Sequence, residues 1–393
     1  MRFRDIAGEN GMFKDGDWIE KKDQNDKGNV RLIQLADIGA GYFKDKSDKR
    51  ITETKAIELN CTYLKKGDIL ITRLGEPLCK ACIFPYEGLY ITAVDIAILR
   101  IGLQEIDSKY LVYLINSPWF KDQVKQYESG TTRKRISRKN LDCIDMTFPP
   151  IEEQQRIVTR IEELFSELDS AVETLQKAKQ QLEVYRQAVL KEAFAECQST
   201  VKVNDVCKHV TDGDHMPPPK SETGIPFIMI SNIDKNVINW NGTAFVNREY
   251  YENINDKRRP QKGDVLYTVT GSFGIPVLVD FDREFCFQRH IALLRPNNRI
   301  IQKYLYYVMQ EPEVYQQAEK KSTGTAQKTV SLSVLRNIEI PFVESVKEQE
   351  RIVAKIESQL SVCDGIERTI EESLQQAEAM RQSILKKAFE GRL

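Results

Sequence analysis

No stretch of this 393-residue chain approaches the roughly 18–20 consecutive apolar residues that cross a bilayer. The opening Met1-Arg2-Phe3-Arg4-Asp5 also lacks the apolar core of a secretion signal, so a cytoplasmic location without membrane partners is expected. Histidine is scarce: His209, His215 and His290 all lie in the second half, which excludes histidine chemistry shared by both halves. Of eight cysteines only Cys79 and Cys82 are close together, and neither a second pair nor a histidine stands at metal-ligand spacing. In a reducing compartment they read as thiols, and no metal is expected. Gly-x-x-x-x-Gly-Lys-Ser/Thr is missing, which excludes a P-loop ATPase. Also missing are a Gly-rich S-adenosylmethionine loop and the Asn/Asp-Pro-Pro-Tyr/Phe motif of amino-methylating enzymes; Phe148-Pro149-Pro150 is a superficial echo. Glu53-Thr54-Lys55 fits half of a nuclease signature, but the second half of the chain has no counterpart. No catalytic residue and no cofactor bound by this chain are expected.

What is present is a soluble composition, 41 % hydrophobic and 29 % charged, long enough for two or three domains. The net charge of −1 is unevenly spread. Residues 151–196 carry 6 Lys/Arg against 10 Asp/Glu, and residues 342–393 carry 8 against 10. The remainder holds 43 basic and 38 acidic residues, so the excess of positive charge lies outside these two segments. A polyanion would meet the chain there.

The chain is a unit written twice. Glu153-Gln154-Gln155-Arg156-Ile157-Val158 returns as Glu348-Gln349-Glu350-Arg351-Ile352-Val353, and 19 of the 44 positions from 153 to 196 are identical at an offset of 195. Fainter matches join Lys66-Gly67-Asp68 to Lys262-Gly263-Asp264, Ile96–Arg100 to Ile291–Arg295, and Gly130-Thr131 to Gly324-Thr325. Between these anchors the halves share little, as expected of a kept frame with diverged surfaces.

Ile157, Ile161, Leu164, Leu168, Ala171, Leu175, Ala178, Leu182, Tyr185 and Val189 fall at alternating steps of four and three, the heptad seam of a coiled coil. The second copy offers Ile352, Ile356, Gln359, Cys363, Ile366, Ile370, Ser373, Ala377, Met380 and Ile384, with Val353, Leu360, Leu374 and Leu385 widening its apolar face. At 1.5 Å per residue such a helix spans roughly 65 Å. The economical partner for each helix is the other copy, running antiparallel; self-dimerisation through the same seam is the competing reading.

Outside the helices, short β-rich runs (Leu32–Leu35, Asp68–Thr72, Ile96–Arg100; Phe227–Ile230, Asp264–Val269, Ile291–Arg295) precede short helices opened by Pro118 and Pro312. The expected fold is α+β: two globular α/β modules and two long helices forming an intramolecular antiparallel coiled coil, with a pseudo-two-fold internal repeat. The division is 1–149, 150–196, 197–341 and 342–393. Candidate DNA contacts are cationic or polar loop residues: Arg50, Arg73, Lys80, Arg133, Lys134, Arg135 and Arg138 in the first module. Thr211, Asp212, His215, Lys220, Arg258, Arg259, Arg289 and Lys328 are those of the second. Arginine pairs bidentately with guanine or phosphate; a solvated charged loop is the plainer reading of many of these positions.

With Pro149-Pro150-Ile151-Glu152-Glu153-Gln154-Gln155-Arg156-Ile157, its partner at 348–352, both Lys-Gly-Asp turns, and Asp212-Gly213-Asp214-His215 followed by Gly224-Ile225-Pro226-Phe227-Ile228, the chain resembles the specificity subunit of type I restriction-modification systems. Ala193-Phe194 and Ala388-Phe389, which close the helices, are family-like too. The resemblance implies two target-recognition domains, each reading half of a bipartite, asymmetric site on double-stranded DNA, with helices that set the spacer. It also implies two methyltransferase subunits using S-adenosylmethionine, and restriction/translocase subunits using ATP and Mg. The first module departs from the pattern, since Gly16-Asp17-Trp18 is present but no Asp-Gly-x-His loop follows. A coiled-coil scaffold that binds only proteins, or an enzyme with an unrecognised site, are the alternatives.

Overall fold

The fold is that of a computed structural model, in which residues 1–213, 218–219, 221–324 and 327–393 are described. The chain forms two compact units, Met1–Leu175 with Glu372–Leu393, and Gln176–Glu371, so that each unit holds one globular module and half of each long helix.

In the first unit an antiparallel sheet has the strand order Met12–Asp15, Ile96–Arg100, Ile69–Thr72, Ala81–Ile83. A smaller sheet places Val30–Ile33 between Arg50–Ile51 (antiparallel) and Tyr90–Thr92 (parallel). The second unit repeats this topology strand for strand: Cys207–Asp212, Ile291–Pro296, Val265–Thr268, Pro276–Leu278 in the larger sheet, and Ile225–Ile228 between Ala244–Val246 and Cys286–Phe287 in the smaller. Alternation puts Ile69, Ile71, Ala97 and Leu99 into one core, against the helices Ser108–Asn116 and Pro118–Lys125, and Leu70, Ile96 and Ile98 into another. Cys79 and Cys82 are divided between these two cores, which explains the inert spacing of the pair. Burial pushes the two thiols up to about 11 and about 12.

Both Lys-Gly-Asp turns are structural. Gly67 and Gly263 sit at φ +93° and +94°, where a Cβ is strained. The buried carboxylate of Asp68 takes two hydrogen bonds from Arg100, at 2.7 and 2.7 Å, and Asp264 takes two from Arg295, at 2.9 and 2.8 Å. The last residue of each Ile-Ala-Ile/Leu-Leu-Arg strand thus staples the turn before the neighbouring strand.

The long helices run Ile151–Ala195 and Val346–Phe389. Inside each unit their halves are antiparallel. In the second, Lys179 reaches Glu371 at 2.7 Å, Arg186 reaches Asp364 at 2.6 Å and Lys355 reaches Glu192 at 3.4 Å. In the first, Arg381 pairs with Asp169 and lies over the Phe165 ring at 4.8 Å, while Ile161 packs on Leu385 and Ala388. The seam differs from expectation at four positions. Ile161, Leu182, Val189, Ile352, Ile356, Cys363, Ile370 and Ala377 are buried, and Leu168 and Leu175 half-buried. Tyr185, Ile366 and Met380, however, are 50 %, 46 % and 56 % exposed, and Ala171 is exposed as well. Beside these four the half-buried positions are Val172, Arg186, Glu367 and Arg381, while Leu164 with Phe165, Ala178 with Lys179, Gln359 with Leu360 and Ser373 with Leu374 share the alternate layer as half-buried neighbours. Charged side chains with half-buried stems and ion-paired heads fill much of it, so hydrophobicity alone points to the wrong neighbours.

The glutamine of the repeated Glu-Gln-x-Arg-Ile segment ties helix to module. Gln154 is buried; its Oε1 accepts from the Asp107 amide at 2.9 Å, and its Nε2 donates to the carbonyls of Glu105 and Pro149 at 2.8 and 2.9 Å. Gln349 makes the equivalent set with Ile301, Arg299 and Val343. At the far helix ends Phe389 meets Tyr110 edge-on at 5.2 Å, and Phe194 meets Tyr304 at 5.3 Å.

Candidate DNA interface

The candidate contacts of the first module gather at one end of its four-stranded sheet. Arg73 follows the strand Ile69–Thr72, Asp15 ends Met12–Asp15, and Val94-Asp95 precedes Ile96–Arg100. A hairpin closed by Ser129 and Arg135 pairs with the loop after Arg73: the Gly75 amide donates to Lys134 O and the Ile136 amide to Arg73 O. The second module builds the same tip. Its hairpin is closed by Thr323 and Thr329, the Gly271 amide donates to Lys328 O, and the Val330 amide donates to Val269 O. Apart from the Gly-Thr of each hairpin and Lys134/Lys328, the two tips largely differ in sequence on a common backbone.

Side chains at this tip divide into those that hold it and those that are free. Arg73, 13 % exposed, pairs with Asp15 at 3.0 Å and donates to the carbonyls of Val94 and Ile136, at 2.5 and 3.2 Å. Three of its five N–H groups are thus committed to holding loops together. Arg138 likewise binds Asp15 at 3.2 Å and Phe13 O at 3.2 Å. Arg135 reaches Asp95 at 3.3 Å, and Lys134 reaches Glu128 at 3.1 Å. Arg133 is exposed and has no side-chain partner among the described residues, as has Arg50 on the edge of the smaller sheet. Lys80 is half-buried, with its backbone paired to Thr72.

In the second module Asp212 pairs with Arg258 at 3.4 Å, replacing the Asp15–Arg73 pair, whose arginine position is here Val269. Thr211 donates to Lys257 O at 3.2 Å. Thr211, Gly213, Lys257, Arg258 and Phe287 line part of an open cleft of about 410 Å³. Arg259 pairs with Asp256, Lys328 with Glu319 at 3.0 Å, and Arg289 is exposed. His215 and Lys220 lie outside the described residues.

Strand register extends the reading of the first module. Asp15 faces Ala97 as Asp212 faces Ala292, so Asp15-Gly16 stands where Asp212-Gly213 does. In sequence the Asp-Gly-Asp recurs at an offset of 197, followed by Trp18 in the first module and His215 in the second, so the Asp-Gly-x-His pattern itself stays absent from the first. Both glycines are required by crowding. A Cβ at Gly16 would lie 2.3 Å from Ala93 O, and one at Gly213 would lie 2.1 Å from Phe287 O. A further unforeseen residue is Lys121, whose Nζ donates to Leu78 O at 2.9 Å and to Cys79 O, bracing the loop that follows Arg73. Burial lowers this ammonium to about 8.

Among the described residues no group of three histidine, cysteine or acidic side chains could hold a metal, and no helix is long and apolar enough to cross a membrane.

The model of the type I restriction modification DNA specificity domain matches twice, over residues 8–183 and 198–376. The specificity subunit of the Escherichia coli type I restriction enzyme EcoBI is 25 % identical over 411 residues, covering 97 % of this chain and 82 % of the relative. That of EcoKI, from Escherichia coli strain K12, is 25 % identical over 312 residues, covering 73 % and 66 %. In fold, the chain is similar to one from a structural study of complex assembly and conformational transition in a type I restriction-modification system, with TM-score 0.70, 19 % identity, and 100 % and 97 % of the two chains covered. The crystal structure of the HsdS subunit from Thermoanaerobacter tengcongensis gives TM-score 0.51 and 19 % identity, over 99 % and 93 %. The doubled match, the doubled topology and the paired helices make this chain a member of the type I restriction-modification DNA specificity family.

Proposed function

We propose that this chain is the sequence-specific DNA recognition subunit of a type I restriction-modification complex. Residues 1–149 and 197–341 each read one half of a bipartite, asymmetric site, and the helical segments 150–196 and 342–393 set the spacer and dock two methyltransferase subunits. Methylation with S-adenosylmethionine, and restriction with ATP and Mg, belong to the partner subunits, and the chain itself is non-catalytic. One observation supports this reading above the others: two modules share a backbone tip while most of its outward side chains, Lys134 and Lys328 apart, differ. Two different half-sites presented to a common catalytic partner call for that combination, whereas a protein scaffold has no need of it. Arg50, Arg133 and Arg289 are the DNA contacts we favour, because their guanidinium groups are exposed and unpaired among the described residues. Lys80, Lys134, Arg135, Arg258, Arg259 and Lys328 could swing to phosphate by exchanging exposed ion pairs worth ~1 kcal/mol or less.

The test is co-expression with methyltransferase subunits and genome-wide mapping of methyladenine. A gapped, non-palindromic motif is expected. An unchanged methylation pattern on deleting this chain, in a system shown to be active, would sink the proposal.

A further inference from the structure

Trp18 differs from the other two tryptophans. Trp119 packs beside Phe120, and Trp240 is edge-on to Phe281 and Phe285 with Arg283 over its face. Trp18 is 71 % exposed and no aromatic ring or cation lies against it among the described residues. The backbone that carries it is nevertheless firmly placed. The Gly16 amide donates to Ile96 O and the Asp17 amide to Thr92 O, both at 2.8 Å. The Asp17 carboxylate accepts from the Thr62 amide at 2.9 Å. The Glu20 carboxylate two residues on holds Lys22 at 2.7 Å. A large apolar ring is thus delivered by a fixed loop with its faces open, three residues beyond the Asp15 that anchors Arg73 and Arg138. An indole left in water on a well-ordered loop forgoes the burial that normally accompanies so large a side chain.

We infer that Trp18 is a specificity-determining residue of the first half-site, contacting DNA through its ring faces. It would pack on a thymine methyl group or on a base drawn out of the stack. The inference rests on the proposed function and deepens it. Because the contact is apolar, its loss has a signature that no cationic residue shares: affinity falls while the salt dependence stays. Stacking on a base contributes about 1–3 kcal/mol, which converts to roughly 5- to 100-fold in affinity. A lost phosphate contact instead lowers the slope of log K against log salt by about one.

The experiment uses the complex of this chain with its methyltransferase subunits, and a duplex bearing the mapped site. Trp18→Ala is expected to weaken site-specific binding 5- to 100-fold with an unchanged salt slope, to relax methylation at positions of the first half-site only, and to leave assembly intact. Trp18→Phe, which keeps a ring, is expected to retain most of the affinity. Trp18→Ala binding like wild type, or a loss that falls equally on both half-sites, would overturn the inference. So would loss of the methyltransferase subunits on gel filtration, which would make the indole a protein contact. If the wild-type complex discriminates no duplex at all, the specificity-subunit reading itself fails, an outcome distinct from a silent Trp18→Ala variant.

Discussion

Replacing Gln154 by alanine removes a side chain that makes three hydrogen bonds where water is excluded. Each bond contributes ~1 kcal/mol net, and a buried backbone group left without a partner costs ~1–3 kcal/mol. The cavity left by the amide admits water to one or two of the three groups, so the expected loss is about 3 kcal/mol. Because 1.4 kcal/mol is tenfold in an equilibrium, amide exchange around Asp107 should accelerate about 100-fold. Hydrogen exchange read by mass spectrometry suits this chain better than a melting curve, since two units need not unfold together. Peptides covering 105–110 should lose protection in Gln154→Ala while those covering 299–303 stay protected, and Gln349→Ala should show the reverse. Gln154→Glu is no rescue, because its second oxygen would face the carbonyls of Glu105 and Pro149, acceptors against acceptors. A loss under about 1 kcal/mol, or deprotection equal in both modules, would refute the idea that this glutamine clamps its own module to the helix.

Three further outcomes are expected. Lys121 has its ammonium lowered by burial from 10.5 to about 8; between those values the unfolded chain holds a proton that the folded one has released. The stability of wild type relative to Lys121→Met should therefore rise with pH across that window, by up to ~1.4 kcal/mol per unit, in urea titrations; a flat difference would exclude a neutral folded lysine. Arg133→Ala should lower the salt slope of DNA binding by about one without altering unfolding, whereas Arg73→Ala should destabilise the first module by about 2 kcal/mol through its three orphaned partners. The reverse assignment would show that exposure is a poor guide at this tip. Arg186→Gln should cost ~1 kcal/mol or less, in a salt-sensitive way, since its pairs with Asp364 and Glu367 are only partly screened from water. A loss of several kcal/mol would mark a desolvated pair.

The doubled plan, the long helices, the strand Ile96–Arg100 and the structural use of Lys-Gly-Asp were all legible, because each rests on local pattern or on repetition. What sequence did not show depends on partners distant in the chain. Ile366 and Met380 satisfy a heptad as well as Glu367 and Arg381 do until the opposite helix supplies Arg186 or Asp169. Arg73 looked like a base reader, since a cation after a strand is ordinarily free; only folding brings it Asp15. The equivalence of Asp15-Gly16 and Asp212-Gly213 appears only in the backbone register, because the residues that follow differ.

The two halves show why divergence collects where it does. Frame interactions recur as complete pairs: Asp68–Arg100 and Asp264–Arg295, Lys109–Glu162 and Lys303–Glu357, Asp169–Arg381 and Asp364–Arg186. For the buried Asp68 and Asp264, changing one member strands a charge away from water, at ~3–5 kcal/mol, so such a pair persists or is replaced together. At the tip the positions differ singly. Arg73 stands where Val269 does, Asp95 where His290 does, and Lys121 where Tyr315 stacks on Phe273 at 5.4 Å. Where such a side chain leaves a carboxylate behind, a new cation arrives from elsewhere, as Arg258 does for Asp212. Stepwise exchange is tolerated where one member keeps contact with water, as Asp15 and Arg258 do, because solvent covers the interval between losing one partner and gaining the next. A reader of DNA built on such a tip can change its target residue by residue while the clamp, the staple and the helix pair stay fixed. On this argument, transplanting 15–18, 73–80 and 129–138 together should move the first half-site preference to another chain of this fold, whereas moving Arg73 without Asp15 should only unfold the loop.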